Sequence, residues 1–152
     1  EPRCEECPLQ HLCVAFHEDL TGQIPVKTAK KPRKIEEKTV YIVRFGEYLV
    51  LHKRSEKGLL AGMWEYPNIE KFDGSREEYA KRLAMLLKIP IDAVDEIRVL
   101  PKAQHIFTHI EWHMNVLQAE ITEAPSEEFV LATPEEMVGK YSLPSAFGKL
   151  TK

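Results

Sequence analysis

No apolar run in the 152-residue sequence approaches the ~18 residues that a membrane-spanning helix needs, and no signal-peptide pattern is present, so we expect no membrane partner. A strong excess of charge is also missing. The formal net charge is −3, so any affinity for a polyanion has to be local. Internal repeats are absent as well. A hydrophobic content of 43% and a charged content of 30% are typical of a soluble globular protein, and the length is sufficient for one domain with appendages.

Cysteine is absent after residue 13, and Cys4, Cys7 and Cys13 have the spacing C-x2-C-x5-C. An odd, clustered set does not resemble a disulfide framework and fits a reducing, cytoplasmic setting. Thiolates this close in sequence favour one metal centre, although three ligands are one too few for a closed site. Either His11 or His17 completes a Cys3His zinc site, or the fourth ligand precedes residue 1, since the sequence starts without Met. Reduced cysteines on a short amphipathic helix are the remaining alternative.

Residues 20–38 have the composition of a connector. Residues 23–34 contain two prolines, five basic residues and no acidic residue. Proline lacks an amide donor and pushes its predecessor out of the helical region, so we expect an extended linker. A basic strap of this kind can lie along phosphates, where Lys30, Lys31 and Arg33 are the candidate contacts. A solvated linker between two domains is equally consistent with the composition.

Residues 39–152 contain the patterns of a folded domain. Strands are predicted at Thr39–Arg44, Glu47–Arg54, Glu96–Ile106, Ile110–Ile121 and Phe129–Leu131, the first two forming a hairpin around Gly46. Capping boxes at Ser75 and Thr133 predict two helices, the first ending before Pro90, and a third helix is expected after Ser145. This order predicts an α+β or α/β fold with a mixed sheet flanked by helices.

A short loop separates the two longest predicted strands. Ile110, Trp112, Met114 and Val116 alternate on one face of the second strand, which places Phe107, Thr108 and His109 at the tip. An aromatic ring, a hydroxyl group and an imidazole can together stack on a planar ligand and bond to its edge. Gln104, at the start of the same stretch, is a further candidate contact. The alternative is that Phe107 packs into the core and the other two are ordinary turn residues.

The segment from Gly58 to Pro67, Gly-x3-Gly-x-Trp-x2-Pro, resembles the approach to a Nudix box in MutT-type proteins. That box is G-x5-E-x7-R-E-U-x-E-E-x-G-U, where U is apolar. With Arg76 at its arginine, Gly62 and Glu77 match. Asn68, Ala80, Lys81 and Leu83 replace the other three glutamates and the second glycine. A lone Arg-Glu pair does not supply the several oxygen ligands that Mg²⁺ needs, so we predict a MutT-like fold without a functional Nudix box.

The cysteine segment provides the most specific resemblance. It is similar to the last three ligands of the C-x6-C-x2-C-x5-C loop that holds a 4Fe–4S cluster in endonuclease III and MutY DNA glycosylases. The first ligand would lie seven residues before Cys4, so we expect the cluster in a full-length protein and not intact in this chain. With the connector and the MutT-like domain, the whole chain resembles the C-terminal part of the MutY family, which removes adenine mispaired with 8-oxoguanine. The expected domains are residues 1–19, 20–38 and 39–152.

The resemblance implies a role for the loop. In that family a Phe-Ser-His loop intercalates at the lesion and recognises 8-oxoguanine, and Phe107-Thr108-His109 matches it with threonine for serine. The implied partners are duplex DNA with 8-oxoguanine opposite adenine and the N-terminal catalytic domain of the same protein. Because that helical domain is not in this sequence, we expect no catalytic residue here and no glycosylase activity from this chain alone. A bacterial, cytoplasmic monomer that acts at the nucleoid is expected.

Two other functions are kept open by the residues. A Nudix-type pyrophosphohydrolase would need its carboxylates, Glu65, Glu70, Glu77 and Glu78, to gather around a metal at a non-standard spacing. A zinc-binding interaction module would use Cys4, Cys7, Cys13 and His17.

Overall fold

The computed structural model describes residues 2–26, 32–141, 143–148 and 150. The chain divides into two compact units, Glu1–Pro32 and Arg33–Lys152. Lys30 and Lys31, two predicted DNA contacts, lie outside the described residues. No helix in the described ranges is both long and apolar enough to cross a membrane.

The first unit consists of single turns. Two 3₁₀ turns, Cys4–Glu6 and Gln10–Leu12, are followed by helix α1, Val14–His17, and none of these three elements contains a buried residue. The amide of Cys7 closes the first turn on the carbonyl of Cys4, at 3.2 Å. The cysteines therefore lie on separate short turns and not on one amphipathic helix.

The second unit contains a sheet of seven described strands. They are β1 (Lys34–Phe45), β2 (Tyr48–Lys53), β3 (Trp64–Glu65), β4 (Asn68–Glu70), β5 (Val94–Ile106), β6 (Ile110–Ile121) and β7 (Phe129–Ala132). The main order is β3-β2-β1-β6-β5, while β4 also pairs with β1 and β7 with β2. β1 and β6 are parallel and the other pairs are antiparallel, so the mixed sheet predicted from the sequence is confirmed.

The first strand begins inside the predicted connector. We expected an extended linker up to residue 38, but β1 starts at Lys34, where it pairs with Ile110 in the parallel register to β6. The cause is tertiary, because the amides and carbonyls of residues 34–38 are taken up by a neighbouring strand far away in sequence. Pro32, which lacks an amide donor, lies just before the strand begins.

Helix α2, Arg76–Leu87, covers one face of the sheet. Its capping box is formed as predicted: the Glu78 amide donates to Ser75 Oγ at 3.3 Å, and the Ser75 amide donates to Glu78 Oε2 at 2.8 Å. The helix ends at Leu87, and Lys88 follows in the left-handed region with φ 58°. The side chains of Tyr79, Leu83, Ala84 and Leu87 are buried.

The C-terminal helices differ from expectation in one respect. Helix α3, Pro134–Gly139, follows a second capping box at Thr133, as predicted. The helix expected after Ser145 is wrong for the described residues, which form turns closed by the amides of Phe147 and Gly148 on the carbonyl of Pro144. Glycine at 148 disfavours extending this turn into a helix.

Two apolar clusters lie on opposite faces of the sheet, and β6 contributes to both. Trp112, Met114 and Val116 face a cluster that includes Val40, Ile42, Leu51 and Phe147. Leu117, Ala119 and Ile121 face the cluster that contains the buried side of α2. The predicted alternation is therefore correct, but it describes a central strand that is buried on both faces.

Candidate nucleic-acid interface

The 107–109 loop, Phe107-Thr108-His109, joins β5 to β6 at one end of the sheet, as predicted. The Phe107 amide donates to the carbonyl of Ile110 at 2.8 Å, which closes the turn. The amide of Lys34, the first residue of β1, donates to the carbonyl of His109 at 3.0 Å. The side chains of Thr108 and His109 are exposed. The tip thus offers a hydroxyl group and an imidazole on a main chain that is fixed from two strands.

The aromatic ring of Phe107 is half-buried. It lies edge-on to His105, with centroids 4.5 Å apart, and edge-on to Trp112, with centroids 4.9 Å apart and planes at 71°. It packs at the rim of the cluster that contains Trp112. The ring is therefore part core residue and part surface residue, so both alternatives drawn from the sequence describe one side of it.

The indole of Trp112 is fully buried beneath the loop. Its Nε1 donates to Glu36 Oε2 at 3.0 Å, and Lys34 Nζ donates to Glu36 Oε1 at 3.1 Å. Burial on its own raises the pKa of the Glu36 carboxyl, but these two hydrogen bonds and the charges of Lys34 and Lys38 outweigh it. The pKa of Glu36 therefore lies below its ordinary value, which keeps a carboxylate beside the indole N–H at neutral pH.

Gln104 belongs to a polar group on the neighbouring part of β5 and β6. Its amide nitrogen donates to Glu111 Oε1, and the same oxygen accepts from His113 Nε2 at 2.7 Å. The hydrogen bond from His113, which is the largest contribution, and the one from Gln104 hold the pKa of the Glu111 carboxyl below its ordinary value. Glu111 takes one of the two N–H donors of the Gln104 amide, so the side chain keeps hydrogen-bonding capacity for a ligand. Its role as a DNA contact stays a prediction.

Arg33, the residue before β1, contacts the 107–109 loop. Its Nε donates to the carbonyl of Phe107 at 3.1 Å, and its side chain is otherwise exposed. The structure thus places one of the three predicted basic contacts directly at the loop. Its role in binding phosphate stays a prediction, as do those of Lys30 and Lys31.

The positions that align with the Nudix box do not form a metal site. Glu77 pairs with Lys81 across one helical turn at 2.7 Å, and Glu78 is the acceptor of the α2 capping box. Leu83, at the second glycine position, is fully buried in the core. Asn68 lies in β4, where its side chain donates to the carbonyl of Tyr66. These side chains serve the structure of the helix and its neighbours.

The carboxylates of the alternative hydrolase are also dispersed. Glu65 is buried and pairs with Arg54, and its other oxygen lies 3.6 Å from His52 Nδ1. Glu70 lies on β4, opposite Lys38 of β1. Across the described residues, no group of three or more His, Cys, Asp or Glu side chains is placed to share a metal ion. No magnesium site is assembled from Glu65, Glu70, Glu77 and Glu78.

The cysteines have the donor chemistry of an iron–sulfur or zinc site but not its geometry. All three are free thiols, Cys7 exposed and the other two partly so. His17, the candidate fourth zinc ligand, has its Nε2 3.2 Å from the carbonyl oxygen of His11. The described residues bring no three such ligands together, so a cluster or a zinc ion at these thiols stays a prediction.

The mixed sheet, the glycine-containing loop and the helix that follows it define a MutT-like scaffold. The chain belongs to the NUDIX domain family, whose family model matches residues 39–152. The C-terminal domain of mouse MUTYH, solved in complex with human PCNA, has the same fold. Its TM-score is 0.57 at 22% identity, covering 76% of this chain and 83% of that domain. The predicted fold is thus confirmed.

Similar curated proteins include adenine DNA glycosylases. The enzyme of Mus musculus is 23% identical over 170 aligned residues, covering 82% of this chain and 33% of the relative. That of Homo sapiens is 30% identical over 128 residues, covering 72% of this chain and 23% of the relative. The chain spans about a quarter to a third of the length of these relatives. The resemblance predicted from the cysteine spacing and the domain order is confirmed.

The sequence did not indicate Glu36 as a part of this site. The sequence predicts a connector at this position, and the contact of Glu36 with Trp112, 76 residues away in the chain, depends on the parallel pairing of β1 and β6. Trp112 was identified only as one apolar position in an alternating strand. An acidic residue within a basic, strand-compatible stretch was the single available signal, and on its own it is ambiguous.

Proposed function

We propose that this chain is the lesion-recognition part of an adenine DNA glycosylase that acts in base-excision repair. It binds duplex DNA in which 8-oxoguanine lies opposite adenine. It thereby directs removal of the adenine by a catalytic domain elsewhere in the same protein. The observation that supports this most is the 107–109 loop, where exposed Thr108 and His109 follow half-buried Phe107 at the end of a hairpin. That loop occurs in a chain whose relatives are adenine DNA glycosylases.

Thr108 has the chemistry needed to contact the oxidised base. Oxidation at C8 turns N7 of guanine from an acceptor into an N–H donor and adds O8 as an acceptor. The Thr108 hydroxyl has lone pairs that accept from this N7–H. It also rotates to donate to N7 of unmodified guanine, so Thr108 does not discriminate alone. His109 has a ring nitrogen that can donate to a base edge or a phosphate.

Phe107 supplies the contact that does not depend on hydrogen bonds. Stacking of an aromatic side chain on a base is worth about 1–3 kcal/mol, and extruding a base from the duplex costs a few kcal/mol. Engagement of the base opposite the adenine by Phe107 therefore offsets part of the extrusion cost. The basic side chains of Arg33, Lys30 and Lys31 add a salt-dependent attraction to the phosphates.

The remaining parts of the proposal concern the longer protein. Cys4, Cys7 and Cys13 would supply three thiolate ligands of a 4Fe–4S cluster, and the fourth ligand and the neighbouring domain would complete the site. The chain itself holds no catalytic residue for adenine excision and acts as a cytoplasmic monomer on DNA. Iron and sulfide analysis of a longer form of the protein tests the cluster, and zinc in place of iron would contradict it.

The test of lesion recognition is a fluorescence-anisotropy titration against two duplexes, one with 8-oxoguanine opposite adenine and one with guanine there. Wild type is compared with a Phe107→Ala/Thr108→Ala variant. Tyr48→Ala, which truncates an exposed aromatic residue at the β1–β2 turn, is the matched control. We expect tighter binding to the damaged duplex that is lost in the double variant and kept in the control.

The same variants are then assayed for adenine excision in the full-length enzyme, where the catalytic domain opens the duplex. Equal excision from both duplexes by the wild-type enzyme, or a preference that the double variant retains, would contradict the proposal.

A further inference from the structure

We propose that Trp112 and Glu36 are positioning residues that fix the orientation of the Phe107 ring for contact with the base. The effect of this positioning on DNA recognition rests on the proposed function. The orientation of the ring itself does not, because it can be measured in the protein without DNA. Neither residue reaches the exposed tip of the loop. Trp112 contacts the Phe107 ring directly, and Glu36 acts on that ring through its hydrogen bond to Trp112.

The contact between Phe107 and Trp112 has a defined geometry. Their centroids are 4.9 Å apart and their planes are inclined at 71°. Such edge-to-face pairs are favoured by the ring quadrupoles, so rotating the indole alters the surface that supports Phe107. Trp112 is completely buried, whereas Phe107 is half-buried. The buried ring therefore sets the position of the exposed one.

Glu36 determines how the indole is oriented. A buried indole N–H without an acceptor carries the cost of its lost hydration, and here Glu36 Oε2 accepts it at 3.0 Å. The two residues are partners in the parallel register of β1 and β6. Lys34 Nζ, 3.1 Å from the other carboxylate oxygen, restrains Glu36 in turn. This chain of contacts leads from Lys34, at the start of β1, through Glu36 and Trp112 to the loop.

Two cations restrict the indole further. Lys38 Nζ lies 5.0 Å and Arg54 Cζ 5.5 Å from the ring centroid of Trp112, within the range of cation–π attraction. Arg54 is itself held by Glu65 and by the carbonyl of Leu59 at 3.0 Å. The indole therefore has its N–H bonded and cations near its ring. A support of this kind lowers the ordering cost that Phe107 would otherwise incur on contact with DNA.

The main chain of the loop is fixed by other groups. Arg33 Nε donates to the Phe107 carbonyl, and the Lys34 amide donates to the His109 carbonyl. Removing the Glu36 carboxylate leaves both of these bonds in place. The expected effect of Glu36→Ala is thus a loss of ring orientation while the path of the backbone is retained.

The direct test is ¹⁹F NMR of the 152-residue chain with 4-fluorophenylalanine at its six phenylalanines. The resonance of residue 107 is assigned by its loss in Phe107→Leu. Glu36→Ala removes the acceptor, whereas Glu36→Gln keeps an oxygen acceptor for the indole N–H. We expect the residue 107 resonance to shift and broaden in Glu36→Ala and to keep its wild-type position in Glu36→Gln. An unchanged shift and linewidth in Glu36→Ala would overturn the inference.

The functional consequence is measured in the full-length enzyme as the preference for adenine opposite 8-oxoguanine over adenine opposite guanine. We expect Glu36→Ala to lower this preference about 2- to 10-fold, which corresponds to the interaction energy of one aromatic pair. We expect Glu36→Gln to keep the wild-type preference. A preference lost in Phe107→Ala but unchanged in Glu36→Ala would overturn the inference alone. A preference unchanged in Phe107→Ala would overturn the proposed function, and the ¹⁹F spectrum would still decide the positioning.

Discussion

The ring of Phe107 meets the indole of Trp112 edge-on, with centroids 4.9 Å apart, so the tip of an exposed loop rests on the core of the sheet. Trp112 also contacts Phe147, at 5.7 Å between centroids. The loop is therefore continuous with an apolar cluster and is not an independent surface feature. Changes at the tip are expected to alter stability as well as recognition.

The first prediction concerns the contribution of Phe107 to the free energy of unfolding. A fully buried phenylalanine truncated to alanine costs about 3–5 kcal/mol, so half-buried Phe107 is expected to cost about 1–2 kcal/mol. Thr108→Ala, one residue further and exposed, should change the free energy of unfolding by less than about 0.5 kcal/mol. Urea denaturation of the two variants measures the difference. Equal stabilities would show that Phe107 makes no effective contact with the core.

The ion pair between Arg54 and Glu65 allows a second prediction. Glu65 is 6% exposed, and its carboxylate is bonded by Arg54. Replacing one partner leaves the other charge poorly solvated, so Arg54→Met should destabilise the chain by on the order of 3 kcal/mol. The double variant Arg54→Met/Glu65→Met should recover much of this loss, because both charges are then gone. A double-mutant cycle that shows additive losses would contradict the coupling.

Features set by neighbouring residues were the predictable ones. The capping boxes at Ser75 and Thr133 depend on residues three positions apart, and both are formed. The hairpin around Gly46 is also local, and Gly46 adopts φ 59°, as tight hairpin turns with positive φ require. The 107–109 loop follows from the strands on either side of it. In each case the controlling residues are visible within one short window of sequence.

Features set by long-range pairing could not be predicted in the same way. Lys34 pairs with Ile110 in the parallel register, so the first strand begins inside the predicted connector. The same register brings Glu36 to Trp112 and Arg33 to the loop. Periodicity reports which face of a strand is apolar, but it does not report which strand lies alongside. The residues that support the loop could therefore not be predicted from the sequence, whereas the loop itself could.

The lowered pKa of Glu36 makes a prediction for acid stability. A carboxyl whose pKa is lower in the folded than in the unfolded chain stabilises the fold above its unfolded pKa of about 4.3. That contribution is lost as the pH falls through the folded pKa. The wild type should therefore exceed Glu36→Gln in free energy of unfolding by a constant amount from pH 6 to 8, and the excess should shrink below about pH 4.

The measurement is urea denaturation of both proteins across this pH range. Glu47→Gln, at the exposed β1–β2 turn, is the control for the Glu-to-Gln substitution itself. A constant difference between wild type and Glu36→Gln down to pH 3 would contradict the lowered pKa of Glu36.

The Nudix-box positions lead to a prediction about metal dependence. Because Glu77 pairs with Lys81 and Glu78 caps α2, we expect no Mg²⁺-dependent hydrolysis of nucleoside triphosphates by this chain. Addition of Mg²⁺ should likewise leave the melting temperature unchanged. Turnover that requires Mg²⁺ and disappears in Glu77→Gln would show that the carboxylates rearrange around a metal after all.

Thr108 offers the sharpest test of lesion recognition, because a comparison of threonine, valine and serine distinguishes the effect of the hydroxyl group from the effect of side-chain volume. Thr108→Val keeps the volume and removes the hydroxyl, whereas Thr108→Ser keeps the hydroxyl and removes the methyl group. A net hydrogen bond is worth about 0.5–1.5 kcal/mol, or roughly 2- to 10-fold in affinity. Thr108→Val should reduce the affinity for the duplex with 8-oxoguanine by this factor. The preference over guanine should fall by no more than this factor, because the hydroxyl also donates to N7 of guanine. Thr108→Ser should preserve both the affinity and the preference. Because Thr108 is exposed, both variants should fold as the wild type does. If Thr108→Val retained the full affinity and preference while Phe107→Ala lost them, recognition would rest on stacking, and the hydroxyl would have no part in it.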